Sequence, residues 1–181
     1  QFFFPVFAPD NRVFVIAGHE FEVQNDLIVC FDALTLQTLF VIDETENNDR
    51  FSDGAFEMAV VGEELFVTDK ADHSIHVYAT GNGAYQRTIR GDFQRPTKLV
   101  HHEGRLYLAE EEDNDDEDDT EAIGRLGHRI FVLSPSGETL QVYDWPDQGR
   151  YISSLTVWGR KLLVKHHDGT YVQWSFSALE G

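Results

Sequence analysis

A repeat constrains this chain more than any other feature. Four short apolar runs, Val13-Phe14-Val15-Ile16, Leu65-Phe66-Val67-Thr68, Leu106-Tyr107-Leu108-Ala109 and Leu162-Leu163-Val164-Lys165, can be laid over one another. Each follows another apolar stretch and a tight turn that contains Asn11, Gly62, Gly104 or Gly159. That pairing reads as a hairpin, because Asn and Gly reach the backbone conformations such turns require. A third run follows in every unit, at residues 27–31, 75–78, 130–133 and 171–174, and a fourth in three units, at 38–42, 85–89 and 140–143. From one second run to the next the steps are 52, 41 and 56 residues, and the last falls to 42 once a 14-residue excess inside the third unit is set aside. A period of ~40–45 residues with four short strands is the signature of a β-propeller blade. The expected fold class is therefore all-β, a propeller with about four blades visible, near residues 1–50, 51–92, 93–147 and 148–181, the last without its outer strand. Residues 33–37 and 177–180 are too short to count as helices.

Charge then limits the partners. The 181 residues hold 14 Lys and Arg against 32 Asp and Glu, a net charge of −18. Affinity for a phosphate backbone comes from cationic side chains that displace counterions, so a nucleic-acid partner is not expected. Cys30 is the single cysteine and no Asn-x-Ser/Thr sequon occurs, which favours an intracellular, cytoplasmic setting over a disulfide-stapled secreted one. The apolar opening at residues 2–7 is too short to span a bilayer.

In the second unit, Asp69-Lys70-Ala71-Asp72-His73-Ser74-Ile75-His76-Val77-Tyr78 resembles the NHL-repeat pattern, in which an Asp ends the second strand and Asn-His-Arg-Ile opens the third. Gly127-His128-Arg129-Ile130 in the third unit is similar, and Phe93-Gln94-Arg95-Pro96 matches the family's Phe-x-x-Pro lead-in. The first and fourth units depart from the pattern at Asn25-Asp26-Leu27 and Asp168-Gly169-Thr170. The resemblance implies an NHL-like propeller over residues 51–134. It also implies a ring of about six blades, of which this chain, opening at Gln1 without Met, reads as a fragment.

The excess in the third unit holds the most unusual composition. Of residues 110–121, ten are acidic: Glu110, Glu111, Glu112, Asp113, Asp115, Asp116, Glu117, Asp118, Asp119 and Glu121. So many like charges cannot be packed together, so the run is expected as a solvated loop between the second and third strands. One reading makes it a lure for a basic protein segment or a loose site for a divalent cation, and the other a solubilising insertion. An EF-hand is not supported, since Asp118 stands where a loop starting at Asp113 needs glycine. Acid-rich, lysine-poor composition also fits life at high salt, where self-repulsion is screened. In the same class of connection lie Lys70, His73 and His166, expected to share the partner-binding face with residues 110–121, and also His19 and His128. Neutral imidazoles there are candidate metal ligands, as the resemblance to NHL-type lyases implies. The alternative for His73 and His128 is a structural hydrogen bond that recurs with the repeat.

Other motifs point away from catalysis. Gly81-Asn82-Gly83 reads as a hairpin turn, Cys30 as a buried small hydrophobe, and His101-His102-Glu103 as a solvated turn. Trp145, Trp158 and Trp174 are expected in blade packing. No Gly-x-Ser-x-Gly elbow or paired zinc-ligand motif occurs. The expected function is a non-catalytic interaction propeller that binds a protein partner through its loop rim with no tightly held cofactor. One alternative is a metal-dependent hydrolase or lyase. The other is a structural subunit whose unfinished blade takes an edge strand from another chain.

Overall fold

The computed structural model describes residues 2–17, 27–43, 55–110, 129–144, 152–166 and 169–175. The described residues form fifteen strands and no helix. They fall into two compact units, Gln1–Asp92 and Phe93–Gly181.

In the first unit, β1 (Phe2–Phe7), β2 (Arg12–Ala17), β3 (Leu27–Asp32) and β4 (Thr38–Ile42) form one antiparallel sheet in chain order. The strands β5 (Ala55–Val61), β6 (Glu64–Asp69), β7 (Ser74–Ala79) and β8 (Tyr85–Arg90) form a second. The expected hairpins are present: Asn11 and Gly62 take φ values of 63° and 60° in the first turn of each sheet. Residues 33–37, read as non-helical, are a turn in which the Asp32 carboxylate accepts from the Leu34 and Thr35 amides at 3.0 and 2.7 Å. In the second unit, β9 (Pro96–His102), β10 (Arg105–Glu110), β11 (Arg129–Leu133) and β12 (Thr139–Asp144) repeat the meander. A last sheet has only β13 (Ile152–Trp158), β14 (Lys161–His166) and β15 (Tyr171–Ser175), so the fourth blade lacks an outer strand among the described residues.

Strand alternation gives each blade two faces. In the first unit, Phe14, Ile16, Ile28, Cys30 and Ile42 of the first blade are buried against Met58, Leu65, Val67 and Tyr78 of the second. In the second unit, Tyr107, Ala109, Ile130 and Val132 of the third blade meet Ile152, Leu155, Leu162 and Val164 of the fourth. Each large aliphatic chain buried this way contributes about 1.5–3 kcal/mol. Gly83 shows how closely the first two blades approach. At its φ of 72°, an added Cβ would lie 2.8 Å from the Ile42 side chain and 2.9 Å from the Phe40 ring. Not all aromatics pack as expected: Trp158 is 68% exposed, because it sits at the β13–β14 turn on the face no neighbouring blade covers in its unit. Trp174 does pack, its ring 5.6 Å from that of Tyr143.

Candidate functional site

The pairing registers place one residue at the same point of each blade, the end of the second strand: Ala17, Asp69, Glu110 and His166. Three of the four are polar, and all three are buried. Their environments decide what the connections to the third strands can do.

In the second blade, Asp69 accepts from the Asp72 amide at 2.9 Å and so closes the turn that carries Lys70 and His73. His73 is exposed there at φ 51°, and Lys70 is half-buried. The other Asp69 oxygen lies 3.3 Å from His76 Nε2. His76 Nδ1 is 2.9 Å from the Thr88 hydroxyl, which is 3.0 Å from the Tyr85 hydroxyl. Ser74 completes the group, bonding Asp72 at 2.8 Å and lying 3.4 Å from His76 Nε2. Outside it, Arg90 grips the Asp72 carboxylate at 2.8 and 3.1 Å. Burial pushes the Asp72 pKa up, but the bonds from Arg90 and Ser74 outweigh it and hold the group below the ordinary carboxylate value. Asp69, Ser74 and His76 are almost wholly out of solvent. His76, not the rim histidines, is therefore the centre of this polar network. The clue in the sequence is alternation, since Ser74, His76 and Tyr78 share the face of β7 that packs on the first blade.

The third blade corrects the expectation for Glu110. That residue belongs to strand β10 and is 0% exposed, so it is not part of a solvated run. Its carboxylate takes Arg129 Nε and Nη2 at 2.8 and 2.7 Å, and accepts from the Gln94 amide at 2.5 Å. An ionised acid is held in the core only when paired and hydrogen-bonded, and these three donors meet that requirement. Arg129 also lies 4.8 Å over the Phe131 ring, and Phe131 meets Phe93 edge-on at 5.7 Å. The lead-in Phe93-Gln94 and the start of β11 are thus fastened to one carboxylate. Glu110 and Arg129 flank residues 111–128, so a bidentate ion pair joins the two ends of that segment.

His166 is corrected likewise. It ends β14 fully buried and offers no exposed imidazole to a partner. Glu111, Glu112, Asp113, Asp115, Asp116, Glu117, Asp118 and Asp119 lie outside the described residues, as do His19 and His128. Among the described residues, no three His, Cys, Asp or Glu side chains are grouped to hold a metal. The turn at His101 is less solvated than expected. Its Nε2 accepts from the Gly104 amide at 3.2 Å, and burial, with His102 alongside, lowers its pKa from the ordinary 6.5. The opposite end of the first unit holds a cleft of about 860 Å³ among the turns that carry Asp10, Glu63 and Asn82. There Arg12 pairs with Asp10 and donates to the Thr80 carbonyl at 3.2 Å. Sequence reading did not find this cleft, because its walls come from three separate turns.

No protein-family model matches the chain. Curated proteins give no match either. Solved structures do match. The computationally designed Ika4 protein aligns with a TM-score of 0.63 at 16% identity, over 97% of this chain and 91% of its own. The RRP9 WD40 repeats align with a TM-score of 0.66 at 16% identity, over 91% of this chain, and BamB from Moraxella catarrhalis with 0.62 at 15%, over 95%. The chain spans 44% and 42% of those two longer chains, and likewise 44% of the designed Ika8 protein. WD40 repeats build propellers, so the likeness agrees with the repeat period and the meander sheets: the fold is a β-propeller.

Proposed function

We propose that this chain is a non-catalytic propeller that binds a basic segment of a partner protein through the acidic connection of its third blade. The observation that carries this reading is the clasp of Glu110 on Arg129 and the Gln94 amide. Residues 111–121 contribute nine carboxylates, and the clasp ties the segment that contains them to the rigid end of β10. Dense like charge on a fixed base raises the local concentration of a cationic partner and speeds its arrival. The NHL resemblance supports the same reading in its finer form. Asp69 closes its turn onto Asp72, and Arg129 opens the third strand of the next blade in partnership with Glu110. Propellers such as WD40 repeats use their connecting loops as binding surfaces on a rigid scaffold.

The test is binding of a lysine-rich peptide to the full chain and to a variant lacking 111–121 but keeping Glu110 and Arg129. Binding to the full chain should weaken as salt rises, and the deletion should abolish it. Equal binding by both proteins at low and moderate salt would remove the acidic segment from the function. Elemental analysis of the purified protein that found stoichiometric zinc would replace this reading with a metal-dependent one.

A further inference from the structure

We propose that Asn82 is a modification site gated by the fold: its side chain cyclises onto the Gly83 nitrogen, with loss of ammonia, when the turn between β7 and β8 opens. Asn82-Gly83 is the one Asn-Gly pair in the 181 residues. Glycine has no side chain to hinder its amide, and its main chain reaches conformations closed to other residues, which makes this pair the best placed for ring closure. In that step the Gly83 N–H gives its proton to hydroxide and the nitrogen attacks Asn82 Cγ. The N–Cγ bond forms, the Cγ–Nδ2 bond breaks, and the leaving nitrogen takes a proton from water and departs as ammonia. Water then opens the resulting succinimide. Attack at Cγ gives aspartate, and attack at the main-chain carbonyl gives isoaspartate, whose chain runs on through Cβ and Cγ.

The folded turn withholds both reacting groups. Gly83 N–H donates to the Ala79 carbonyl at 2.9 Å, which holds the proton that must leave. Asn82 Oδ1 accepts from the Ala84 amide at 3.0 Å, which restricts rotation of the carboxamide. The turn is fastened in its turn. The Ala79 amide donates to the Ala84 carbonyl at 2.8 Å, and the Thr80 amide and hydroxyl donate to the Glu63 carbonyl at 2.9 and 3.1 Å. From the first blade, Arg12 donates to the Thr80 carbonyl at 3.2 Å. Gly83 also packs on that blade, so closely that a Cβ would lie 2.8 Å from Ile42 and 2.9 Å from Phe40. Opening the turn therefore means loosening the contact between the first two blades. Isoaspartate would add a methylene to the main chain next to Gly83, and a close-packed contact leaves no room beside Ile42 for the displaced backbone. Asn82 thus records, irreversibly, that the two blades have come apart.

Mass spectrometry of the tryptic peptide 71–87, which holds Asn82 and no other asparagine, tests the proposal on the full chain in warm, mildly alkaline buffer. Ammonia loss should be at least about tenfold slower in the native protein than in urea, because the rate follows the fraction of open turn. It should rise steadily with urea below the unfolding transition. Phe40→Ala, which removes one wall of the Gly83 contact, should raise the native rate and leave the rate in urea unchanged; where that variant does not fold, the wild-type urea series decides. Isoaspartate-containing chains, separated after refolding, should unfold at lower urea than unmodified ones. Equal rates in native and unfolded protein overturn the proposal. So does a wild-type rate that stays flat up to the transition, a folded Phe40→Ala that loses ammonia no faster, or an isoaspartate chain as stable as the unmodified one.

Discussion

The buried network of the second blade gives a sharp energetic prediction, because the first blade shows what the same positions look like without it. Asp69 and His76 occupy the places that Ala17 and Val29 hold one blade earlier. His76→Val should destabilise the protein by about 3 kcal/mol, since it leaves the Asp69 carboxylate, 3% exposed, with the Asp72 amide alone. Asp69→Ala should cost about 2 kcal/mol, through the lost turn bond from the Asp72 amide and the lost contact with His76 Nε2. Adding Asp69→Ala to His76→Val removes the stranded charge and recreates the arrangement of the first blade. The double variant should therefore cost only about 2 kcal/mol, well below the sum of the single changes, a coupling of about 3 kcal/mol. Urea denaturation followed by dichroism and tryptophan fluorescence measures all three. With a slope of about 2 kcal/mol per molar, His76→Val moves the midpoint down by about 1.5 M. Additive single and double variants, with coupling under about 0.5 kcal/mol, would show that Asp69 and His76 do not depend on each other and would refute the reasoning.

Three further outcomes follow from the same geometry. Gly83→Ala should destabilise the chain by about 2–4 kcal/mol in the same urea titration, because a left-handed backbone and a 2.8 Å approach to Ile42 both oppose a Cβ. The Cys30 thiol, pushed up to about 11 by burial, should stay unmodified by iodoacetamide at neutral pH in the native protein and react fully in urea. The carboxyl of Glu64, lowered from 4.5 by its bond from Arg87, and that of Asp32, lowered from 3.8 by its bonds from Thr35, are more acidic when folded. The unfolded chain then binds more protons, so their contribution is present above those ordinary values and is lost as pH falls through the folded ones. Melting temperatures should accordingly drop on acidification below the ordinary value of 4.5, and a flat profile there would contradict the pairing.

Architecture was legible in the sequence because it depends on periodicity and turn chemistry, both local. The apolar runs and the Asn11 and Gly62 turns specify antiparallel meanders whatever surrounds them. The three strands described for the last blade were legible in the same way, as the three apolar runs at 155–157, 162–165 and 171–174. Site residues were less legible, because burial of a polar side chain depends on a partner that the sequence does not place beside it. Glu110 reads as the first member of an acidic run, yet its partner Arg129 stands nineteen positions later. His166 looks like a rim histidine beside His167, but strand β14 continues far enough to bury it. Exposure of Trp158 follows the same logic, since tryptophan packs only where a neighbouring sheet face is available.

One register position explains why counting histidines in loops misleads in this fold. The end of the second strand is buried in the second, third and fourth blades, so a polar residue there must bring its own partner or be replaced by a small apolar one. The first blade takes the second course with Ala17. In the second blade Asp69 finds its partner in the strand, at His76, and in the third Glu110 finds it across the insertion, at Arg129. The backbone frame is common to all three, while the hydrogen-bonding solution is local to each blade. A histidine's place in the β6–β7 connection therefore says little about chemistry. What matters is whether a carboxylate ends the preceding strand and whether the residue opposite it, across β7 or β11, can meet it.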